Sequence, residues 1–299
     1  MANGRVDVSV VLCTYNRAKL LTQALAHVGA AAARSNAVVE IIVVDNNSRD
    51  DTESVVADAS RTSLFPVRYV LETRQGLSFA RNRGIEECQG TVIAFTDDDC
   101  IVDPDWISAL WREFIASPDV AVLGGRVDLH SQEDKPVSIR PFADRVRYTD
   151  PGQIYGLIMG CNLAVRRESL KLIGGFDPAL GGTKGVTADD IEFVYRALRG
   201  GLGVLFTPEP RVFHNHGRRS PEDLKALGRC YTRGKGAFFC KHILKGDRTI
   251  LKHAWWTVRA QLKAGPPAEA GKLSGWESLK ALASGALHFI LTRAAIVRP

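Results

Sequence analysis

At 299 residues, 45% hydrophobic and 24% charged, the chain carries enough apolar side chain to bury a core and is not a disordered polymer. No stretch nears the ~18 uninterrupted apolar residues of a membrane span, and Val8–Cys13, preceded by Arg5 and Asp7, is too brief for the apolar segment of a secretory leader. The net charge of +6 is unevenly held: residues 217–299 carry 16 Lys/Arg against 5 Asp/Glu, and residues 1–216 carry 23 against 28.

The first third alternates strand and helix signals. Val8–Cys13 is a β-branched run that ends in the polar turn Thr14-Tyr15-Asn16-Arg17, and an Ala/Leu-rich helical pattern follows from about Ala18 to Ala33. Val38–Val44 predicts a second strand, with Asp50 or Asp51 capping a short helix through Ala59. Val67–Leu71 predicts a strand, Leu77–Glu87 a helix, and Val92–Phe95 a strand running into Asp97-Asp98-Asp99. This alternation implies a largely parallel sheet with right-handed crossovers, its polar residues clustered after the C-terminal strand ends where open α/β sheets bind ligands.

The middle is less regular. Val120–Leu123 followed by Gly124–Val127 predicts a strand and a turn, and Ser131–Tyr148 a mobile, Pro-interrupted connection. Gly160–Val165 reads as a strand, Arg167–Ile173 as a helix stopped by Gly174-Gly175, Ile191–Arg199 as a helix, and Val204–Phe206 as a short strand before Pro208. Beyond Gly217 the pattern is helical, basic and aromatic, broken at Gly265-Pro266-Pro267.

The turn Thr14–Arg17 has no glycine, so it is neither a GxGxxG dinucleotide loop nor a Walker phosphate loop, both of which need close backbone approach. Asp97-Asp98-Asp99 is the strongest local signal. Three adjacent carboxylates repel unless a cation or several donors compensate them, and hard divalent cations take carboxylate oxygens alongside substrate phosphates. A solvated acidic turn is the alternative. Asp189, Asp190 and Glu192 form a second acidic cluster, read either as a helix cap or as a source of a general base. In His214-Asn215-His216, an imidazole can complete a carboxylate metal site.

Seven segments together resemble the family 2 glycosyltransferases: VSVVLCTYNR from Val8, VVDNNSRDDT from Val43, GLSFARNRG from Gly76, FTDDD from Phe95, GCNLAVRRESLKLIGGF from Gly160, DDIEF from Asp189, and the His214 segment. Each is weak alone; all seven stand in the family's order. The resemblance implies a GT-A fold: an α/β, Rossmann-like, mostly parallel sheet flanked by helices. It also implies a nucleotide-diphosphate-sugar donor, Mn²⁺ or Mg²⁺, and inversion at the anomeric carbon. By the same resemblance Thr14, Asn16 and Arg17 line the nucleotide pocket, Asp45 contacts the base and Arg81 lies near the nucleotide. Asp97 and Asp99 match the DxD metal pair, with Asp99 the direct ligand and Asp98 between them in the donor site. Asp190 matches the catalytic base with Asp189 as the alternative, and His214 the late metal or phosphate contact with His216 as the alternative.

These readings divide the chain into a glycosyltransferase domain, residues 1–216, and a basic, mainly helical extension, residues 217–299. The expected acceptor is a saccharide or a lipid-linked sugar in bacterial-type polysaccharide or glycolipid assembly. In the extension, Arg218, Arg219, Arg229, Arg233 and Lys235, interspersed with Gly228, Gly234 and Gly236, could form a lid over a diphosphate. Trp255, Trp256, Trp276 and Phe289 accompany Lys252, Arg259, Lys263, Lys272 and Lys280, a composition suited to an anionic membrane surface or, alternatively, to packing on the body. The six cysteines include no pair two to four residues apart, which removes zinc-ribbon and CxxC readings. The expected location is cytoplasmic, peripheral on the inner face of the cell membrane, with no nucleic acid partner.

Two rival readings account for part of the sequence. A sugar-nucleotide pyrophosphorylase needs a Gly-rich basic loop that Thr14–Arg17 does not supply. A basic adaptor for nucleic acid or membrane with an inactive body leaves the acidic motifs unexplained.

Overall fold

The computed structural model describes residues 5–153, 156–181, 185–264, 267 and 269–296. The chain forms two compact units: Met1–Gly175 with Phe193–Gly217, and Phe176–Glu192 with Arg218–Pro299. The second unit thus takes in the segment carrying Asp189 and Asp190 as well as the basic extension.

The first unit holds a nine-stranded mixed sheet. Strands β1 (Val8–Thr14), β2 (Val39–Asp45), β3 (Val67–Leu71) and β4 (Val92–Asp97) are parallel neighbours in the spatial order β3-β2-β1-β4. All seven residues of β1 and of β2 are buried, the pattern of a parallel sheet covered on both faces. Between the strands run α1 (Ala18–Arg34), α2 (Thr52–Thr62) and α3 (Leu77–Glu87). The sheet continues through β8 (Leu163–Arg166), antiparallel to both β4 and β6 (Val120–Leu129). Strand β9 (Gly203–His214) lies parallel to β6, and β5 (Cys100–Val102) and β7 (Val146–Tyr148) pair with it antiparallel. Helix α4 (Trp106–Ala116), unremarked in the sequence, buries Trp106, Ile107, Leu110 and Phe114. The fold is mixed α/β with a mostly parallel central sheet, as the alternation predicted.

Several predicted elements need correction. Gly124-Gly125 is not a turn: β6 runs through both, and a methyl on Gly125 would strike the Pro210 carbonyl and the Asn162 amide. The strand predicted to stop before Pro208 continues to His214. Its prolines, Pro208 and Pro210, fall between the paired residues Phe206 and Arg211, where the ladder to β6 shifts register and needs no N–H. The connection Ser131–Tyr148 contains β7, and Arg140 bridges Val127. Gly160–Asn162 is a 3-10 turn ahead of β8 rather than part of the strand. Arg167–Ile173 divides into a 3-10 turn and the single-turn α5 (Leu170–Ile173), ended by Gly174 at φ +75°. Helix α6 (Asp189–Arg199) begins at Asp189, before the predicted start.

The second unit contains α7 (Pro221–Ile243), α8 (Arg248–Lys263) and α9 (Gly275–Ile296). Ser220 and Asp223 form a reciprocal capping box at the start of α7. The glycines read as lid hinges have another use. Helix α7 is continuous through Gly228, Gly234 and Gly236, and a methyl on Gly236 would collide with the Leu282 backbone of α9. Gly285 of α9 meets the Arg233 backbone in the same way. The predicted break at Gly265-Pro266 lies outside the described residues. No helix among the described residues is long and apolar enough to cross a membrane.

Candidate active site

The register of the parallel strands gathers the predicted residues of the first unit. Thr14 at the end of β1 is the direct partner of Asp45 at the end of β2, and Cys13 is the partner of Asp97 at the end of β4. The chain builds β2 and β3 on one side of β1, then crosses to the other side for β4. The gap beyond the C-terminal ends of β1 and β4 is therefore the topological switch point, where such sheets hold ligands.

The gap is bridged by side chains. Thr14 Oγ1 donates to Asp98 Oδ2 at 2.8 Å. Arg17 Nη1 donates to Asp98 Oδ1 at 2.9 Å and to Asp99 Oδ2 at 3.1 Å. Burial pushes the Asp98 carboxyl up to about 6, opposed by the Arg17 charge and reinforced by Asp99. Asp97 is turned to another cation: Arg81, whose side chain is almost wholly buried, approaches Asp97 Oδ1 at 3.4 Å.

His214, the last residue of β9, reaches the same acidic turn because β9 pairs with β5 and sets His214 opposite Cys100. Its Nε2 lies 3.4 Å from Asp99 Oδ1, and its Nδ1 is 2.9 Å from the Ser138 carbonyl. Burial is the largest single effect and lowers its pKa, but the hydrogen bond to Asp99, the charges of Cys161 and Asp99 and the hydrogen bond to Ser138 together outweigh it and raise the pKa to about 10. His216 is drawn elsewhere, its Nδ1 3.6 Å from Asp134 Oδ2. Of the two histidines, His214 is the one at Asp99.

One donor atom each from Asp99, Cys100 and His214 lies within 4.8 Å of the others. The carboxylate suits Mn²⁺ or Mg²⁺, the imidazole suits a transition ion such as Mn²⁺ better than Mg²⁺, and a thiol suits softer ions. Burial holds the Cys100 thiol well above its usual pKa, so it stays protonated, and it donates to Asp99 Oδ1 at 3.8 Å. The donor set therefore fits a hard cation at Asp99 and His214, in competition with the His214 proton. Asp97 is not in that group.

The neighbouring loops are tied by contacts that sequence reasoning missed. Asp45 accepts from Tyr69 Oη at 2.8 Å and from the Ser48 N–H at 2.8 Å. Asn16, at φ +53°, accepts from the Arg49 N–H at 2.7 Å, and its own N–H donates to Ser48 Oγ. Asp50, read as a cap for α2, also accepts from the Ala18 N–H at the start of α1. Asn46 holds the next loop, donating to the Glu72 and Arg74 carbonyls and accepting from the Gly76 N–H. Nothing in the local pattern signals these partners, which come from turns with no periodicity.

In the second unit, Asp189 is buried and Asp190 only half-buried, its Oδ1 accepting from the Ile191 N–H at 2.8 Å. Glu192 is fully buried, with Lys241 Nζ at 2.6 Å and His242 Nε2 at 3.3 Å. Lys241 also pairs with Asp177 at 2.6 Å. Glu192 is thus a structural anchor within this unit.

The sheet has a bridged switch point with an acidic turn at its edge, and comparison with known proteins gives the family. Residues 9–174 match the model of glycosyl transferase family 2. The chain belongs to that family and is a glycosyltransferase. It is 28% identical over 215 residues to the succinoglycan biosynthesis protein ExoM of Rhizobium meliloti (strain 1021), covering 71% of this chain and 68% of that one. It is 25% identical over 231 residues to a glucosyl-dolichyl phosphate glucuronosyltransferase of Haloferax volcanii, covering 70% and 69%. Among solved structures, the mannosyltransferase PcManGT from Pyrobaculum calidifontis, in complex with GDP-Man and Mn²⁺, superposes with a TM-score of 0.62. The match, at 20% identity, covers 98% of this chain and 80% of that one. TarS of S. aureus superposes with a TM-score of 0.56 at 20% identity, over 77% of this chain but 39% of its own. These neighbours share the GT-A fold.

Proposed function

We propose that the enzyme moves a sugar from a nucleotide-diphosphate-sugar donor to a hydroxyl of a saccharide or lipid-linked acceptor, with inversion. The product belongs to polysaccharide or glycolipid assembly, with the protein cytoplasmic and peripheral on the inner face of the cell membrane. The observation that carries this reading is the switch-point cluster of Thr14, Arg17, Asp98, Asp99 and His214. The relatives' names lend support: one serves succinoglycan biosynthesis, another is a glucosyl-dolichyl phosphate glucuronosyltransferase. A third, 34% identical over 104 residues, is an undecaprenyl-phosphate 4-deoxy-4-formamido-L-arabinose transferase of Pseudomonas savastanoi pv. phaseolicola.

In this mechanism Asp99 and His214 would hold Mn²⁺ or Mg²⁺, with Asp97 at the edge of the site. The bound cation would supply Lewis-acid stabilisation of charge on the leaving diphosphate. Arg17 and Arg81 bring fixed positive charge to the same edge, where it stabilises the diphosphate as it departs. Thr14 and Asn16 shape the nucleotide pocket, and Asp45 faces the base. Asp98, held by Thr14 and Arg17, keeps the acidic turn in place. Asp190 takes the proton of the acceptor hydroxyl, which displaces the diphosphate from the opposite face of the anomeric carbon. Its half-buried carboxylate, next to a buried Asp189, favours Asp190 for that role. A single displacement needs no covalent intermediate.

The test is a screen of nucleotide-sugars for binding and slow hydrolysis with Mn²⁺ or Mg²⁺ present. Asp99→Asn is expected to fold normally and to lose divalent-ion-dependent donor binding, read by calorimetry with and without the ion. Unchanged metal dependence in the folded variant would remove Asp99 from the metal site.

A further inference from the structure

Helix α8 has an unusual outer face. Leu251, Trp255, Trp256 and Leu262 are all more than half exposed. Leu251, Trp255 and Leu262 fall at helical spacing on one row. The adjacent row carries Arg248, Lys252, Arg259 and Lys263, all exposed, with the Arg259 guanidinium 5.7 Å from the Trp256 ring centroid. The helix has no acidic residue, and its N-cap Asp247 spends its carboxylate on the Thr249 and Ile250 N–H groups. Ile250 is the one fully buried side chain among its residues. The start of α9 adds to the patch: Gly275 packs on the Gln261 carbonyl, and the next residue, Trp276, is 72% exposed. Phe289, grouped with these aromatics on sequence, is buried in the core of the unit and takes no part.

Two tryptophans and two leucines kept in water on one helix are costly unless something covers them. The rim of cations identifies the cover. A second copy would set one acid-free basic helix against another, and like charges would repel. An anionic bilayer meets both demands: the indoles enter the headgroup boundary while Lys and Arg stems reach the phosphates.

We infer that α8, with Trp276, is the surface by which the protein lies on an anionic lipid membrane. The inference rests on the peripheral reading above and adds to it the face and the lipid chemistry. Membrane docking does not require donor or acceptor, so it is measured apart from catalysis.

The experiment uses the full chain with vesicles of phosphatidylcholine alone or mixed with phosphatidylglycerol, read by co-sedimentation and tryptophan emission. Wild type is expected to bind only the mixed vesicles, with a blue shift, and to release as salt rises. Lys252→Gln is expected to weaken binding about fivefold, the effect of one surface cation. Trp255→Ser with Trp256→Ser is expected to weaken it on the order of tenfold or more, in proportion to the apolar area withdrawn. These positions are exposed, so the variants retain the wild-type circular dichroism and melting temperature. Wild type left in the supernatant with mixed vesicles would defeat the peripheral reading and the surface with it. Mixed vesicles that bind wild type and both variants equally would leave the peripheral reading standing and overturn α8 as the surface. A wild-type dimer that the Trp variants turn to monomer, with no vesicle binding, would assign the face to a second copy instead. Binding to an oligonucleotide as tight as to vesicles, and indifferent to the Trp changes, would reduce the face to charge alone and overturn the inference.

Discussion

Asp190→Asn is expected to lower turnover by roughly 10²–10⁴-fold, the range for loss of a general base, while donor affinity stays near wild type. The amide keeps the shape of the carboxylate and can still accept from the Ile191 N–H. It cannot take a proton from an acceptor hydroxyl. The paired variant Asp189→Asn tests the assignment from the other side. Asp189 is buried, so its replacement is expected to lower the melting temperature more than it lowers kcat in the folded fraction. If Asp189→Asn abolishes turnover in folded protein and Asp190→Asn does not, the base is Asp189.

Lys241→Met is expected to destabilise the second unit by about 3–5 kcal/mol, the usual cost of removing one partner from a buried ion pair. The ammonium sits 2.6 Å from both Asp177 and Glu192, and its side chain is only 8% exposed. Without it, the fully buried Glu192 retains His242 at 3.3 Å but loses its nearest cation. Asp177 suffers less, because its carboxylate is partly exposed and water can replace the lysine. The double variant Lys241→Met with Glu192→Leu is expected to recover much of the loss, since well-packed apolar replacements of buried pairs are often neutral. Urea unfolding followed by far-ultraviolet circular dichroism, to which α7, α8 and α9 contribute, measures both. A Lys241→Met midpoint equal to wild type would mean that these pairs contribute nothing to stability.

The parallel core was legible because its signals are local and redundant. β1, β2 and β4 are dominated by apolar, β-branched residues, interrupted only by Ser9 and Glu40 before their polar ends, the predicted bounds of α3 match the observed helix, and each run ends in the polar turn that marks an open sheet edge. The switch-point residues followed from that edge, since parallel strands in register align their C-terminal ends. Where local rules and tertiary demands conflict, the reading failed. Gly124-Gly125 signals a turn to any propensity argument, yet the glycines serve a strand crowded by Ile158 at Gly124 and by Pro210 and Asn162 at Gly125. Pro208 and Pro210 signal a strand end, yet a register shift in the ladder removes the need for their missing N–H groups. The place of Cys100 opposite His214 depends on the β5–β9 pairing, which no spacing announces. The grouping of Phe176–Glu192 with the basic helices was the least legible feature. Its determinants, Lys241 and His242 on Glu192, are tertiary contacts between distant segments.

That grouping has a consequence for synthesis on the ribosome. β1 to β4 and their crossover helices can assemble as they emerge, each strand finding a neighbour already made. The segment bearing Asp189 and Asp190 cannot. Its core partners include Ala237 on α7 and Phe289 on α9, which are translated much later. A nascent chain can therefore form the parallel β1–β4 core early, whereas the segment leading into Asp189 and Asp190 gains its packing partners only once α9 has left the exit tunnel.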